Sequence, residues 1–172
     1  SVRQYYRERY LYRFGAVEDV PEGLLVKLTT GLRYRELGAR TGYTGMEVSR
    51  GRHYHGFGYA SLAVGVGTFW EGGKSQDATY RAELRYFTDL FRMGRWYLRQ
   101  FVSLSGASIT RQLPTERLDI NGDVLYGFRS AQVSGTHREL LKLETVAYAP
   151  WKVLGFRFAP VLLAGFATIG DQ

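Results

Sequence analysis

The sequence carries three histidines, and each lies near residues with which it could do chemistry. Ser134, His137 and Glu139 supply the hydroxyl, imidazole and carboxylate of a hydrolytic triad within six residues. In an extended chain, residues two apart share a face, so His137 and Glu139 point together while Ser134, three before His137, points away. The trio therefore reads as solvated residues at a strand rim, and no catalytic residue and no enzyme is expected. His53 and His55 also share a face and could hold a metal, but no third ligand accompanies them, so neither metal nor cofactor is expected. Gly65-Val66-Gly67 falls inside an alternating stretch rather than before a helix, which excludes a phosphate-binding loop. The chain has no cysteine, so disulfides and thiolate metal sites are absent.

The elements that must position these residues are long strands. From Tyr80 to Leu90, Tyr80, Ala82, Leu84, Tyr86, Thr88 and Leu90 make one face, and Arg81, Glu83, Arg85, Phe87 and Asp89 the other. A side-chain period of two defines an extended strand between two environments. The run also exceeds the five or six residues usual in soluble sheets and approaches the ~9–11 needed to cross a bilayer at a tilt. Similar ladders are expected over 3–14, 24–35, 39–49, 57–70, 96–105, 141–147 and 156–166, with turns at Gly15–Pro21, Glu71–Gln76, Phe91–Gly94 and Pro150–Lys152 and one long loop over 107–136. The second face of 57–70 is Ser61, Ala63, Gly65 and Gly67, small enough to bend the sheet or to accommodate something large.

These features predict an all-β fold: an antiparallel transmembrane β-barrel of about eight long strands, or part of a larger barrel, in one domain over 1–172. Leu84, Tyr86, Leu98, Val102, Phe156 and Phe158 would face lipid. Arg81, Glu83, Arg85, Arg99, Lys142, Glu144 and Arg157 would form an interior charge network, with arginines meeting acids across adjacent strands. A net charge of +7 raises nucleic acid as a partner, but the arginines are spread through alternating strands instead of gathered on one patch, so no nucleic-acid partner is expected. Aromatics make up 15% of the chain, half of them tyrosine, which suits a membrane–water interface. No stretch is apolar over ~18 residues, so no transmembrane helix is expected, and Ser1 begins no signal-peptide pattern, so an exported barrel would be a mature product or a piece of a longer chain. A soluble lipocalin-like ligand-binding barrel gives the same alternation. The scarcity of lysine on the polar face and the strand lengths favour the membrane.

The loop sequence Leu125-Tyr126-Gly127-Phe128-Arg129 and the following Arg138–Glu144 strand resemble the C-terminal barrel of BamA/TamA-type bacterial surface antigens, the outer-membrane assembly factors. In that family a long loop carries an aliphatic-Arg-Gly-aromatic motif, matched here by Leu125, Gly127 and Phe128. The motif arginine falls on Tyr126, and its strand aspartate would fall near Gly165, so both halves of one interaction are absent, with Arg129 as a substitute. The resemblance implies a sixteen-stranded barrel in the bacterial outer membrane, of which this chain would be a fragment. It also implies contact with outer-membrane lipid, client outer-membrane proteins and periplasmic or lipoprotein partners, and a role in protein insertion or translocation. It further implies that the loop folds into the barrel with Leu125–Phe128 as its tip, Gly127 being small because the backbone approaches closely. A small structural or pore-forming barrel and a lipid-modifying hydrolase are the alternatives.

Overall fold

A computed structural model describes residues 4–11, 16–33, 41–110, 117–121, 127–130 and 132–171. The strands are β1 (Gln4–Arg9), β2 (Val17–Arg33), β3 (Thr41–Tyr54), β4 (Gly58–Glu71), β5 (Lys74–Phe87), β6 (Phe91–Met93), β7 (Trp96–Thr110), β8 (Leu118–Asp119), β9 (Ser134–Gly135), β10 (His137–Tyr148), β11 (Lys152–Val153), β12 (Phe156–Arg157) and β13 (Val161–Gly170). Nine of them form one antiparallel sheet in the order β1-β2-β3-β4-β5-β7-β10-β13, with β6 paired to β7. Among the described residues no ladder joins β13 to β1 or β2, so the sheet is not closed.

The long strands exceed their sequence-based bounds. β3 and β7 each run five residues further, to Tyr54 and Thr110, and β5 begins at Lys74 and stops at Phe87. The β4–β5 connection shrinks to Gly72 and Gly73, whose φ values of 57° and 80° are those of a tight hairpin turn. The expected turn over 15–21 is largely strand, because Val17–Glu22 pairs with β1. The expected last strand over 156–166 is broken before Val161: Phe156 and Arg157 belong to the separate β11–β12 hairpin, and Pro160 precedes β13. Phe156 therefore leaves the sheet, whereas Phe158 stays beside β10, its carbonyl accepting the Ala149 N–H at 2.9 Å in the β10–β13 register, and is exposed.

Register makes the two faces of the sheet continuous. One row runs Leu24, Arg50, Leu62, Leu84, Leu104, Leu141, Phe166 across seven strands, and the next begins Val26, Val48, Val64, Ala82. Most of these apolar side chains are exposed, Leu24 and Phe166 to about 60%. The face is interrupted by Arg50. On the opposite face Arg85, Glu83 and Arg81 of β5 stand beside Ser61, Ala63 and Gly65 of β4 and beside Ser103, Ser105 and Ala107 of β7. Long charged side chains are thus flanked on both sides by small ones, which gives them room to lie over the sheet.

The small residues of β3 and β4 also make room for rings. A Cβ on Gly67 or Gly45 would run into the Tyr43 ring, and one on Gly51 into the hydroxyl of Tyr59, which donates to the Pro21 carbonyl at 2.8 Å. Tyr59 packs with Leu11 and Val20 in the buried core, joined by Tyr6, Phe87 and Phe101. This core lies at one end of the sheet, where β1 is held.

Candidate functional site

β1 is six residues long, too short to cross a bilayer, and its side chains reach over the charged face at that end. Tyr6 stacks on the His53 ring of β3 with centroids 3.8 Å apart. Glu8 meets Arg99 of β7, and the Tyr10 carbonyl accepts the Tyr148 hydroxyl from β10. Tyr10 adopts φ 61°, a left-handed conformation that ends the strand.

Around these contacts lies a dense polar cluster. Among the described residues Arg99 is the most buried large side chain, with no exposed side-chain surface, and its Nη2 lies 3.0 Å from Glu8 Oε1. The contact is an ion pair, and all three guanidinium nitrogens lack a hydrogen-bond acceptor among the described residues. The guanidinium also lies over the Phe87 ring, 5.2 Å from its centroid. Glu8 Oε2 accepts the Tyr6 hydroxyl at 2.7 Å. Burial, and then that hydrogen bond, push the Tyr6 phenol well above its ordinary range, which keeps it a donor. His53 Nε2 lies 2.8 Å from Asp89 Oδ1, and the His53 backbone N–H donates to Glu22. Asp89 sits in the short link after β5, anchored where Thr88 and Gln100 exchange hydrogen bonds.

The same concave face borders a cavity of about 1030 Å³, lined by Glu18, Glu47, Glu83, Arg85, Lys142 and Glu144 among others. Gly127 and Phe128 of the long loop also line it, as does Gly165. Leu125 and Tyr126 lie outside the described residues, and Arg129 is exposed. The reason for glycine at 127 differs from the expected one. A Cβ there would meet nothing within 4 Å, and the constraint is its φ of 77°.

The residues expected in the interior network fall at different places along the sheet. Arg85 pairs with Glu83 on its own strand at 2.6 Å. Lys142 and Glu144 share the concave face of β10, and Arg81 that of β5. Arg99 does not join them, because its register puts it opposite Val146, nearer the end of the sheet, where β1 supplies Glu8. Arg157 is exposed on β12, off the sheet. The histidine sites divide as well. His137 Nε2 lies 3.4 Å from Glu139, its Nδ1 is buried without a hydrogen-bond partner among the described residues, and Ser134 lies on the β8–β9 ladder opposite Asp119, so these residues form no Ser-His relay. At His53 the missing carboxylates are present after all: Glu8 and Asp89 come from positions 45 residues before it and 36 after it, separations that no local motif registers.

These features define an all-β protein with one extended antiparallel sheet, an exposed apolar face and a charged concave one. No protein-family model, curated protein or solved structure matches the chain.

Proposed function

We propose that the sheet is the wall of a bacterial outer-membrane β-barrel of the surface-antigen type, with β2–β5, β7, β10 and β13 crossing the bilayer. In this reading the protein serves outer-membrane protein insertion or translocation by binding client strands, without covalent chemistry. The observation that carries the proposal is the exposed apolar face, continuous in register across seven strands, backed by a concave face of Arg, Glu, Lys and small residues. Water rejects such a surface, since exposed apolar patches beyond a few hundred Å² mark interaction or membrane sites. Lipid accepts it. Arg50, the exception in the belt, has a long stem that can carry its charge towards an interface.

The position of Phe128 and Gly127 on the cavity lining supports the inward-folded loop of that family, and the edge of β13 and the part of β2 beyond its ladder with β1, which among the described residues pair with no further strand, are the kind of seam that recruits strands, because unpaired N–H and C=O groups are costly in hydrocarbon. The polar cavity also favours one rival, a pore-forming barrel, which stepwise conductance in planar bilayers would support.

The test is refolding into liposomes. Leu84→Arg should block or slow insertion, at a cost of ~2–4 kcal/mol near the bilayer midplane, whereas Arg85→Leu, one residue on and on the other face, should insert like the unaltered chain. Equal tolerance would overturn the membrane reading. Proteoliposomes that insert the chain yet fail to accelerate folding of a small client barrel would remove the assembly role alone.

A further inference from the structure

We infer that Glu8, His53 and Asp89 form a binding site for one divalent transition cation of the zinc class, which staples β1 to the sheet. One ligand atom from each of the three side chains lies within 4.8 Å of the others, and all three residues are half-buried. In a tetrahedral zinc site, with bonds of about 2.0–2.2 Å, ligand atoms sit roughly 3.3 Å apart, so modest side-chain rotation closes this set around an ion. An imidazole with two carboxylates suits zinc, manganese or ferrous iron better than the all-oxygen shells that calcium and magnesium take.

Two independent features point the same way. The first is charge. Among the described residues, the carboxylates of Glu8, Glu22 and Asp89 gather about His53 and the guanidinium of Arg99, two negative charges in surplus, which a dication cancels. The second is Arg99 itself, fully buried, with its three nitrogens short of acceptors beside Glu8. A three-ligand site keeps a fourth position open for a water or an anionic oxygen, the kind of acceptor that Arg99 lacks. The surroundings already orient the ligands. The Tyr6 ring stacks on His53, the Tyr6 hydroxyl and Arg99 hold Glu8, and Thr88 anchors the link that carries Asp89. Metal binding would therefore join β1, the end of β3 and the β5–β6 link, elements that the hairpin ladders leave separate. The site does not depend on the membrane role proposed above.

The experiment uses the complete chain refolded in detergent, stripped with chelator and titrated with zinc chloride alone. The unaltered protein should take up one zinc per chain and melt at a higher temperature with zinc present. X-ray absorption should report one imidazole nitrogen and oxygen donors at about 2.0–2.2 Å. Asp89→Asn and Glu8→Gln should each weaken zinc binding by roughly tenfold or more, while His55→Gln leaves it unchanged. If Glu8→Gln fails to fold because Arg99 loses its partner, Asp89→Asn, which keeps an oxygen beside His53, carries the comparison. Failure of the folded protein to take up zinc at one per chain would overturn the proposal. So would uptake that survives Asp89→Asn or disappears with His55→Gln.

Discussion

Two carboxylate–guanidinium pairs face the same concave side of the sheet, and they differ in almost everything that sets their worth. Glu83 and Arg85 are two residues apart on β5, with Arg85 two-thirds exposed. Glu8 and Arg99 are ninety-one residues apart, and the Arg99 side chain has no exposed surface. The local pair sits in water, where screening and side-chain entropy leave little net gain. The distant pair gains little over an apolar replacement of both partners, but breaking it strands a charge in a poorly polarisable core. Proximity in sequence thus gives the weak pair, and tertiary packing the one on which the fold depends.

That comparison can be broken most directly at Glu8. Glu8→Gln should lower stability in detergent by about 3–5 kcal/mol, read from urea unfolding, because Arg99 stays buried and loses its counter-charge. The double variant Glu8→Leu/Arg99→Met should recover most of that loss, since it removes the charge as well as the partner. If the single change costs no more than a surface substitution, Arg99 is not buried as described.

A smaller effect is expected where the concave face is made of small residues. Gly67→Val drives a side chain into the Tyr43 ring and should cost about 1–3 kcal/mol by overpacking. Gly31→Ala, on the same face of β2 with nothing within 4 Å of its Cβ, should stay within roughly 0.5 kcal/mol of the parent. Equal losses in thermal melts would mean that Tyr43 does not lie over β4.

The smallest effect belongs to the exposed pair. Glu83→Gln should change stability by about 0.2–1 kcal/mol, and the difference should shrink between low salt and 1 M salt, where the screening length falls to about 3 Å. A loss as large as that of Glu8→Gln would erase the contrast between the two pairs.

The alternation that specifies the strands is a local property, and it was legible. Once Leu84, Tyr86 and Val102 were assigned to one face and Glu83 and Arg85 to the other, pairing could only extend those faces, because a one-residue slip would turn every side chain over. The same logic placed Lys142 and Glu144 with the charged set. Strand ends were less legible. The β5 and β7 segments lengthened because neighbouring segments pair with them whatever their own pattern: Thr79 lies opposite Ile109, whose N–H donates to the Thr136 carbonyl.

By itself, then, the sequence determined which residues share a face, since side-chain direction in an extended chain depends only on parity. It determined neither the partner of Arg99 nor the surroundings of His53. The sequence placed Arg99 in a network with Arg85 and left His53 without ligands, because Glu8 and Asp89 are remote in the chain. Only the folded sheet, which lays β1 over β3 and β7 and ends β5 beside His53, brings those groups within reach of one another. The physical reason is that period two sets orientation, whereas contact between separate segments depends on register and on the curvature of the sheet.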